Sequence, residues 1–199
     1  DDESTPESES AFSSIKCKLI NARSINNKLP ELHELLDNNP DISVLCITES
    51  WLKSDTSNTT ILNNRDYSIF RSDRLGYQAG GGVCIIVNDL MVNAVDVRVD
   101  CSSNSFDIVC IDVVNTHQPI RIITCYRPPS TDTNETAVAE MRKIIECLEK
   151  LCDVDATVVI LGDFNMPYID WTNPVLTADG DRCSTLFTEF TTLYTLNSW

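Results

Sequence analysis

The sequence has no long apolar run, few glycines and little positive charge. None of its apolar stretches approaches the roughly 18 residues that a membrane-spanning helix needs. Glycine supplies only 6 of the 199 residues and 42% are hydrophobic, so collagen-like and wholly disordered chains are excluded. Lysine and arginine total 15 against 30 acidic residues, a net charge of −15. Because tight nucleic-acid binding normally requires a basic surface, we expect either a small, metal-assisted contact with a polyanion or a partner of another kind.

Cysteine is plentiful, but its spacing indicates no metal site. Nine cysteines are present without a CxxC motif or a cysteine–histidine cluster of zinc-site spacing. Five of them lie inside apolar runs, where cysteine acts as a small hydrophobic residue: Cys17, Cys46, Cys84, Cys110 and Cys125. We therefore predict reduced, buried thiols in an intracellular protein, cytoplasmic or nuclear, rather than a disulfide framework.

Residues 1–14 are predicted to form a disordered acidic tail, and residues 15–199 a single domain. In that domain strand and helix patterns alternate, which favours an α/β or α+β architecture built in layers. Strands are predicted at 16–20, 42–48, 66–70, 83–87, 92–99, 106–114, 119–125 and 156–161. Helices are predicted from Leu29 to the break at Pro40, from the capping pair Asp132 and Glu135 to about Cys152, and over 184–193. Three glycines at 80–82 predict a tight turn, since no GxxxxGK phosphate loop is present.

Four of the apolar strands end in a polar residue. These residues are Asn21, Glu49, Tyr126 and, after Gly162, Asp163. Strand ends in an α/β architecture commonly gather along one edge, where ligands bind. The sequence therefore predicts that these side chains converge.

Asp163 is followed two positions later by Asn165, and the two side chains face the same way if the stretch is extended. Phe164 then points into the core.

Such a set of side chains suits metal-assisted attack on a phosphate. Glu49 and Asp163 offer the carboxylates that Mg²⁺ prefers, while Asn21, Asn165 and Tyr126 offer uncharged hydrogen-bond donors for phosphate oxygens. Each residue also has a structural interpretation. The glutamate is then merely solvated, the Asp-x-Asn is an ordinary turn, Asn21 caps the next helix, and the tyrosine anchors a loop.

Five stretches carry a resemblance to a known family. They are NARSI at 21–25, TESWL at 48–52, RSDR at 71–74 with GGGV at 80–83, CYRPPS at 125–130, and GDFNMP at 162–167 followed by IDW at 169–171. Together they resemble the endonuclease/exonuclease/phosphatase superfamily. More narrowly, they resemble the apurinic-type endonuclease domain at the N-terminus of non-LTR retrotransposon polyproteins.

The resemblance implies a four-layered α/β sandwich and Mg²⁺-dependent hydrolysis of a phosphodiester, with Mn²⁺ as a possible substitute. It implies that Glu49 binds the metal and that Asn21 lies near the metal and the phosphate. It further implies that Tyr126 contacts the scissile phosphate and that Asp163, a second candidate metal ligand, orients or deprotonates the attacking water. Asn165 is then its phosphate-contacting partner.

One part of the family pattern has no match. The family's Ser-Asp-His, whose histidine contacts the scissile phosphate, is not found, and neither His33 nor His117 follows Ser-Asp. We expect a domain that lacks its final segment, is incomplete at the C-terminus and is inactive as it stands. Arg127 is the first candidate for the vacant charge-stabilising role and for contact with the substrate phosphate.

Three functions remain open at this point. The first is a DNA-nicking endonuclease that binds DNA weakly, joined in cis to a reverse transcriptase and not to a membrane. The second is a phosphatase of the same superfamily acting on inositol phosphates or sphingolipids, which the acidic charge favours. The third is a non-catalytic relic that keeps part of the fold.

Overall fold

The computed structural model describes residues 14–63, 65–74, 80–99, 101, 105–130, 134–171, 175–176 and 181–194. Ten strands lie in them: β1 (Cys17–Asn21), β2 (Val44–Thr48), β3 (Tyr67–Ser72), β4 (Val83–Asn88), β5 (Ala94–Asp96), β6 (Asp107–Val113), β7 (Ile120–Tyr126), β8 (Thr157–Asp163), β9 (Ile169–Asp170) and β10 (Val175–Leu176). Four helices accompany them: α1 (Leu29–Asn38), α2 (Asn58–Leu62), α3 (Glu135–Cys152) and α4 (Arg182–Leu193).

All eight predicted strands and all three predicted helices are present. The fifth strand is shorter than predicted. The three elements that the sequence did not indicate, α2, β9 and β10, have two to five residues each and are too short to show a period. The cap of α3 is Asn134, whose side chain accepts a hydrogen bond from the Ala137 amide. The predicted capping residue Asp132 and residues 1–13 of the predicted tail lie outside the described residues.

Two four-stranded sheets form the centre of the molecule. Their strand orders are β1-β2-β4-β3 and β5-β6-β7-β8. Each sheet contains one parallel pair, β1 with β2 and β7 with β8. The segment between the strands of the first pair contains α1, and that of the second contains α3. A parallel pair places both carboxyl ends at the same edge, which sets Asn21 beside Thr48 and Tyr126 beside Asp163.

The side chains of the central strands alternate between two buried faces. In β2, Val44 and Cys46 pack between the sheets, whereas Leu45 and Ile47 pack in the outer cluster that includes residues of α1 and α2. In the second sheet the outer cluster contains residues of α3 and α4, among them Met141. Strands buried on both faces are apolar throughout, as these are. The layers run helix, sheet, sheet, helix, which confirms the predicted four-layered α/β sandwich.

The expectation that the cysteines are reduced holds for seven of them and is wrong for one pair. Cys101 and Cys147 form a disulfide. Cys101 itself packs against the cluster that contains α3. The two cysteines are 46 positions apart in the sequence, so spacing alone does not indicate the bond. Burial raises the pKa of Cys46 and of Cys125 to about 12, which leaves these free thiols unreactive at neutral pH.

The helices in the described residues include none that is long and apolar enough to cross a membrane.

Gly162 lets β7 and β8 approach closely just before Asp163. A Cβ atom at this position would lie 2.3 Å from the backbone oxygen of Cys125. We expect Gly162→Ala to separate the two strands and to lower the free energy of unfolding by about 2–3 kcal/mol, because the obstructing atom is main chain and cannot rotate away.

Chemical denaturation measures this change, with Gly80→Ala as its control. The Cβ of an alanine there would meet the nearest side chain at 3.7 Å, and only the positive φ of 96° opposes it. The control should therefore lose about 1 kcal/mol. Equal losses in the two variants would contradict the role given to Gly162.

Candidate active site

The predicted convergence of the strand ends occurs, and a single amide links them. The side-chain nitrogen of Asn21 donates to Glu49 Oε1 at 2.8 Å and to Asp163 Oδ2 at 3.0 Å. Asn21 ends β1 and Glu49 follows β2, both in the first sheet, whereas Asp163 ends β8 of the second. Three residues predicted from separate parts of the chain thus meet where the two sheets adjoin, and the shared donor offsets the repulsion between the two carboxylates.

Glu49 is held on a loop of unusual backbone conformation. Its φ is 51° and that of Trp51 is 53°, both in the left-handed region that side chains other than glycine rarely adopt. The buried Ser50 between them donates its amide to Gly82 O at 3.0 Å, and Trp51 donates to Gly81 O at 2.9 Å. The glycine turn predicted at 80–82 is therefore the support of this loop. A Cβ on Gly82 would lie 2.6 Å from the hydroxyl of Ser50.

Tyr126 lies beside Glu49 at the end of β7 and is almost fully buried. Burial, followed by the negative charge of Glu49 and a hydrogen bond to it, raises the pKa of Tyr126 to about 12. The Arg74 guanidinium lies 5.5 Å from the centre of the tyrosine ring and opposes part of this rise. The phenol therefore keeps its proton at neutral pH and acts as a hydrogen-bond donor, here to the Glu49 carboxylate.

A buried ion pair supports the tyrosine, and sequence reasoning missed it. Arg74 Nη2 lies 2.6 Å from Asp107 Oδ2, and the same carboxylate accepts the Gly82 amide at 2.9 Å. Asp107 begins β6 and is paired with Tyr126 in the sheet. The pair thereby ties the glycine turn of the first sheet to the second sheet. The sequence signal that could have indicated this pair was the RSDR stretch at 71–74, which is one of the motifs of the family resemblance. No role had been assigned to its second arginine, Arg74.

Asn21, Glu49, Tyr126 and Asp163 form one group, called here the Asn21 cluster. Asn165 and Arg127 are not part of it. Asn165 Nδ2 donates to the backbone oxygen of Arg127 at 2.8 Å, and Arg127 Nη1 donates to Phe164 O and Asn165 O at 3.3 and 3.2 Å. The extended geometry assumed for 163–165 is wrong, because β8 ends at Asp163 and the φ of Asn165 is 49°. Phe164 packs against the outer core as expected. The phosphate contacts of Asn165 and Arg127 stay predictions.

Neither histidine of the sequence belongs to the cluster. His33 lies on α1, where its Nε2 hydrogen-bonds the backbone oxygen of Ile61 at 2.8 Å. His117 lies in the exposed turn that connects β6 to β7, at the opposite edge of the second sheet.

The donor set fits a hard divalent cation bound with few protein ligands. Glu49, Asp163 and the amide oxygen of Asn21 provide oxygen donors and no thiolate. Across the described ranges, no group of three or more histidine, cysteine, aspartate or glutamate residues is arranged to hold a metal. A cation here would therefore keep several waters, which Mg²⁺ does readily, and its binding would be weak.

Comparison with known sequences gives one family match. A family model described as endonuclease-reverse transcriptase matches residues 120–198, which include β7, β8 and Asp163. No curated protein matches the chain.

Comparison with solved structures supports the fold. The chain is similar to an AP endonuclease from Archaeoglobus fulgidus, with a TM-score of 0.66 and 17% identity over 90% of this chain and 70% of that one. It is similar to the endonuclease domain of TRAS1, a telomere-specific non-LTR retrotransposon, with a TM-score of 0.62 and 14% identity over 94% and 74% of the two chains. A 3′ phosphatase from Neisseria, bound to a product DNA hairpin, gives a TM-score of 0.62 and 21% identity over 80% and 61%.

At these identities the structures establish the shared fold, and the family-model match adds the sequence relationship over the C-terminal part of the chain. Over residues 120–198 the chain is similar to the endonuclease-reverse transcriptase family, and its fold resembles that of the AP endonuclease and of the TRAS1 endonuclease domain, in agreement with the resemblance carried by the motifs.

Proposed function

We propose that the chain is the phosphodiester-hydrolysing part of a Mg²⁺-dependent endonuclease that nicks DNA in a non-LTR retrotransposon polyprotein, with a reverse transcriptase in cis. The observation that carries the proposal is the sharing of the Asn21 amide between Glu49 and Asp163. Two carboxylates held this close in an oxygen-only site favour a divalent cation. The structures with a similar fold include DNA-processing enzymes.

The residues of the cluster divide the chemistry among them. Glu49 would hold the cation, and when bound, Mg²⁺ or Mn²⁺ polarises the phosphoryl group and stabilises the leaving oxygen. Asp163 accepts a proton from the attacking water. With substrate bound, Tyr126 exchanges its hydrogen bond to Glu49 for one to a phosphoryl oxygen, and its raised pKa keeps the proton that this donation needs. Asn21 positions both carboxylates by donating to each.

One role has no occupant in the cluster. The vacant role is that of a preorganised cationic group for the charge that develops on the phosphoryl oxygens. Tyr126 offers only a neutral donor, and neither His33 nor His117 lies near. Arg127 directs its guanidinium to the backbone of Phe164 and Asn165. We therefore infer that these 199 residues by themselves are inactive or nearly so.

A phosphatase of the same superfamily is the second candidate. The net charge of −15 favours it, because an acidic surface repels a long polyanion more than a small phosphate ester. The CYRPPS and IDW stretches favour the endonuclease, since they resemble the retrotransposon group. A non-catalytic relic of the fold would show neither activity.

Metal binding is the first test of the proposal. We expect Mg²⁺ or Mn²⁺ to raise the unfolding temperature by mass action and Glu49→Gln to remove most of that gain. Without metal, Glu49→Gln should not lower the unfolding temperature, because it removes one of two neighbouring negative charges. Thermal unfolding with and without metal, together with calorimetric titration, measures both effects.

Asp155→Asn is the matched control for this test. It makes the same chemical change on an exposed residue in the turn before β8, at the far edge of the sheet. This variant should keep the full response to metal. Equal metal affinity in Glu49→Gln and the unaltered chain would contradict the assignment of Glu49.

Activity on DNA is the second test. We expect the 199-residue chain to leave supercoiled plasmid intact in Mg²⁺, because losing one charge-stabilising group costs about a hundred- to thousand-fold in rate. A longer chain that supplies a Ser-Asp-His segment should nick the plasmid. It should release no phosphate from inositol phosphates.

The contrary outcomes identify the competing functions. Phosphate release without nicking would favour the phosphatase. Robust nicking by the 199 residues, abolished in Asp163→Asn, would show that another group has taken the vacant role.

A further inference from the structure

Arg23 lies close to the Asn21 cluster, on a segment whose backbone is strained and held by hydrogen bonds. It follows β1 by two residues, and its φ is 47°, while that of Ser24 is 85°. The segment runs along the Glu49 loop. The Ala22 amide donates to Thr48 O at 2.9 Å, and the Ser24 amide donates to Glu49 O at 3.0 Å. The backbone at Arg23 is therefore fixed relative to the cluster.

The side chain of Arg23 is exposed between two buried neighbours, Ala22 and Ser24. Within the described part of the chain, no ion pair or hydrogen bond engages its guanidinium. Arg74 and Arg121, in contrast, form ion pairs with aspartates. A left-handed backbone is costly for arginine, and no hydrogen bond or ion pair of the guanidinium within the described residues offsets that cost. Strain of this kind is typical of functional positions.

We propose that Arg23 binds the DNA phosphate adjacent to the one held at the Asn21 cluster. The proposal rests on the proposed function. Two residues of chain keep the Cα of Arg23 within about 7 Å of that of Asn21, and successive phosphates of one strand rise about 3.4 Å along the duplex. A guanidinium is always charged and binds phosphate through two parallel hydrogen bonds. In a chain with a net charge of −15, a free cation at the site gives a polyanion a local point of attachment.

DNA binding at several salt concentrations tests this inference without requiring activity. Fluorescence anisotropy of a short labelled duplex in Mg²⁺ gives the affinity and its salt dependence. Arg23→Gln should weaken binding about tenfold near 0.1 M salt and reduce the slope of log K against log salt by about 0.9, the value for one phosphate contact. Arg23→Lys should keep most of the slope.

Two further variants separate the contact from general effects. Arg142→Gln removes the same charge from an exposed position on α3 and should leave the slope unchanged. Arg23→Asn introduces a residue that tolerates the left-handed region. It should lose affinity as Arg23→Gln does, with an unfolding temperature equal to or above that of the unaltered chain.

The outcomes distinguish this inference from the proposed function. If Arg23→Gln and Arg142→Gln bind with the same affinity and slope as the unaltered chain, the role of Arg23 is refuted and the proposed function stands. If affinity falls only in step with the unfolding temperature, the role is likewise refuted, because the arginine is then structural. If the unaltered chain shows no Mg²⁺-dependent DNA binding, both proposals fail.

Discussion

Two carboxylates of like charge share one amide at the point where the sheets adjoin. Glu49 comes from the first sheet and Asp163 from the second, and Asn21 donates to both. Bringing two negative charges together costs free energy unless a donor or a cation lies between them. The parallel pairs β1–β2 and β7–β8 deliver these residues to one edge. The architecture therefore builds a site that a divalent cation would stabilise further.

Most arginine side chains near the Asn21 cluster form contacts within the protein. Arg74 pairs with Asp107 and lies against the ring of Tyr126, and Arg127 closes the turn after β8 through backbone oxygens. These two guanidiniums are largely buried and hold the loops of the site in place, so they contribute little positive charge to the surface. The acidic surface and the buried arginines are thus consistent with each other. The proposed attraction of a polyanion would depend on a few exposed cationic groups and on a bound metal ion.

Backbone strain is concentrated at the same edge. Of the six non-glycine residues with positive φ in the described ranges, five lie on the loops that follow β1, β2 and β8. The sixth, Asn63, ends α2 in the left-handed conformation common at helix ends. Hydrogen bonds between the loops hold this geometry. A strained but rigid edge keeps the polar groups in position before any ligand arrives, which lowers the cost of binding.

Local patterns in the sequence were enough to predict the strands, the main helices and the four polar residues that end strands. The period of the hydrophobic residues shows which faces of a helix or strand are buried, and this period can be read from a short stretch of sequence. The contact of Asn21 with Asp163 across 142 residues depends instead on how two sheets stack. The disulfide of Cys101 with Cys147 and the ion pair of Arg74 with Asp107 likewise join residues far apart in the sequence. Their spacing follows no motif from which the contact could be predicted.

Asn165 is a case in which local spacing predicted the wrong geometry. Its spacing from Asp163 predicted a shared direction, but Asn165 takes the left-handed conformation and its side-chain amide donates to the backbone oxygen of Arg127. The sequence by itself determined the eight strands of the two large sheets and the polar residues at their ends, but not the short strands β9 and β10. The tertiary structure alone decided which of those residues meet, because stacking, register and loop conformation depend on contacts between distant parts of the chain.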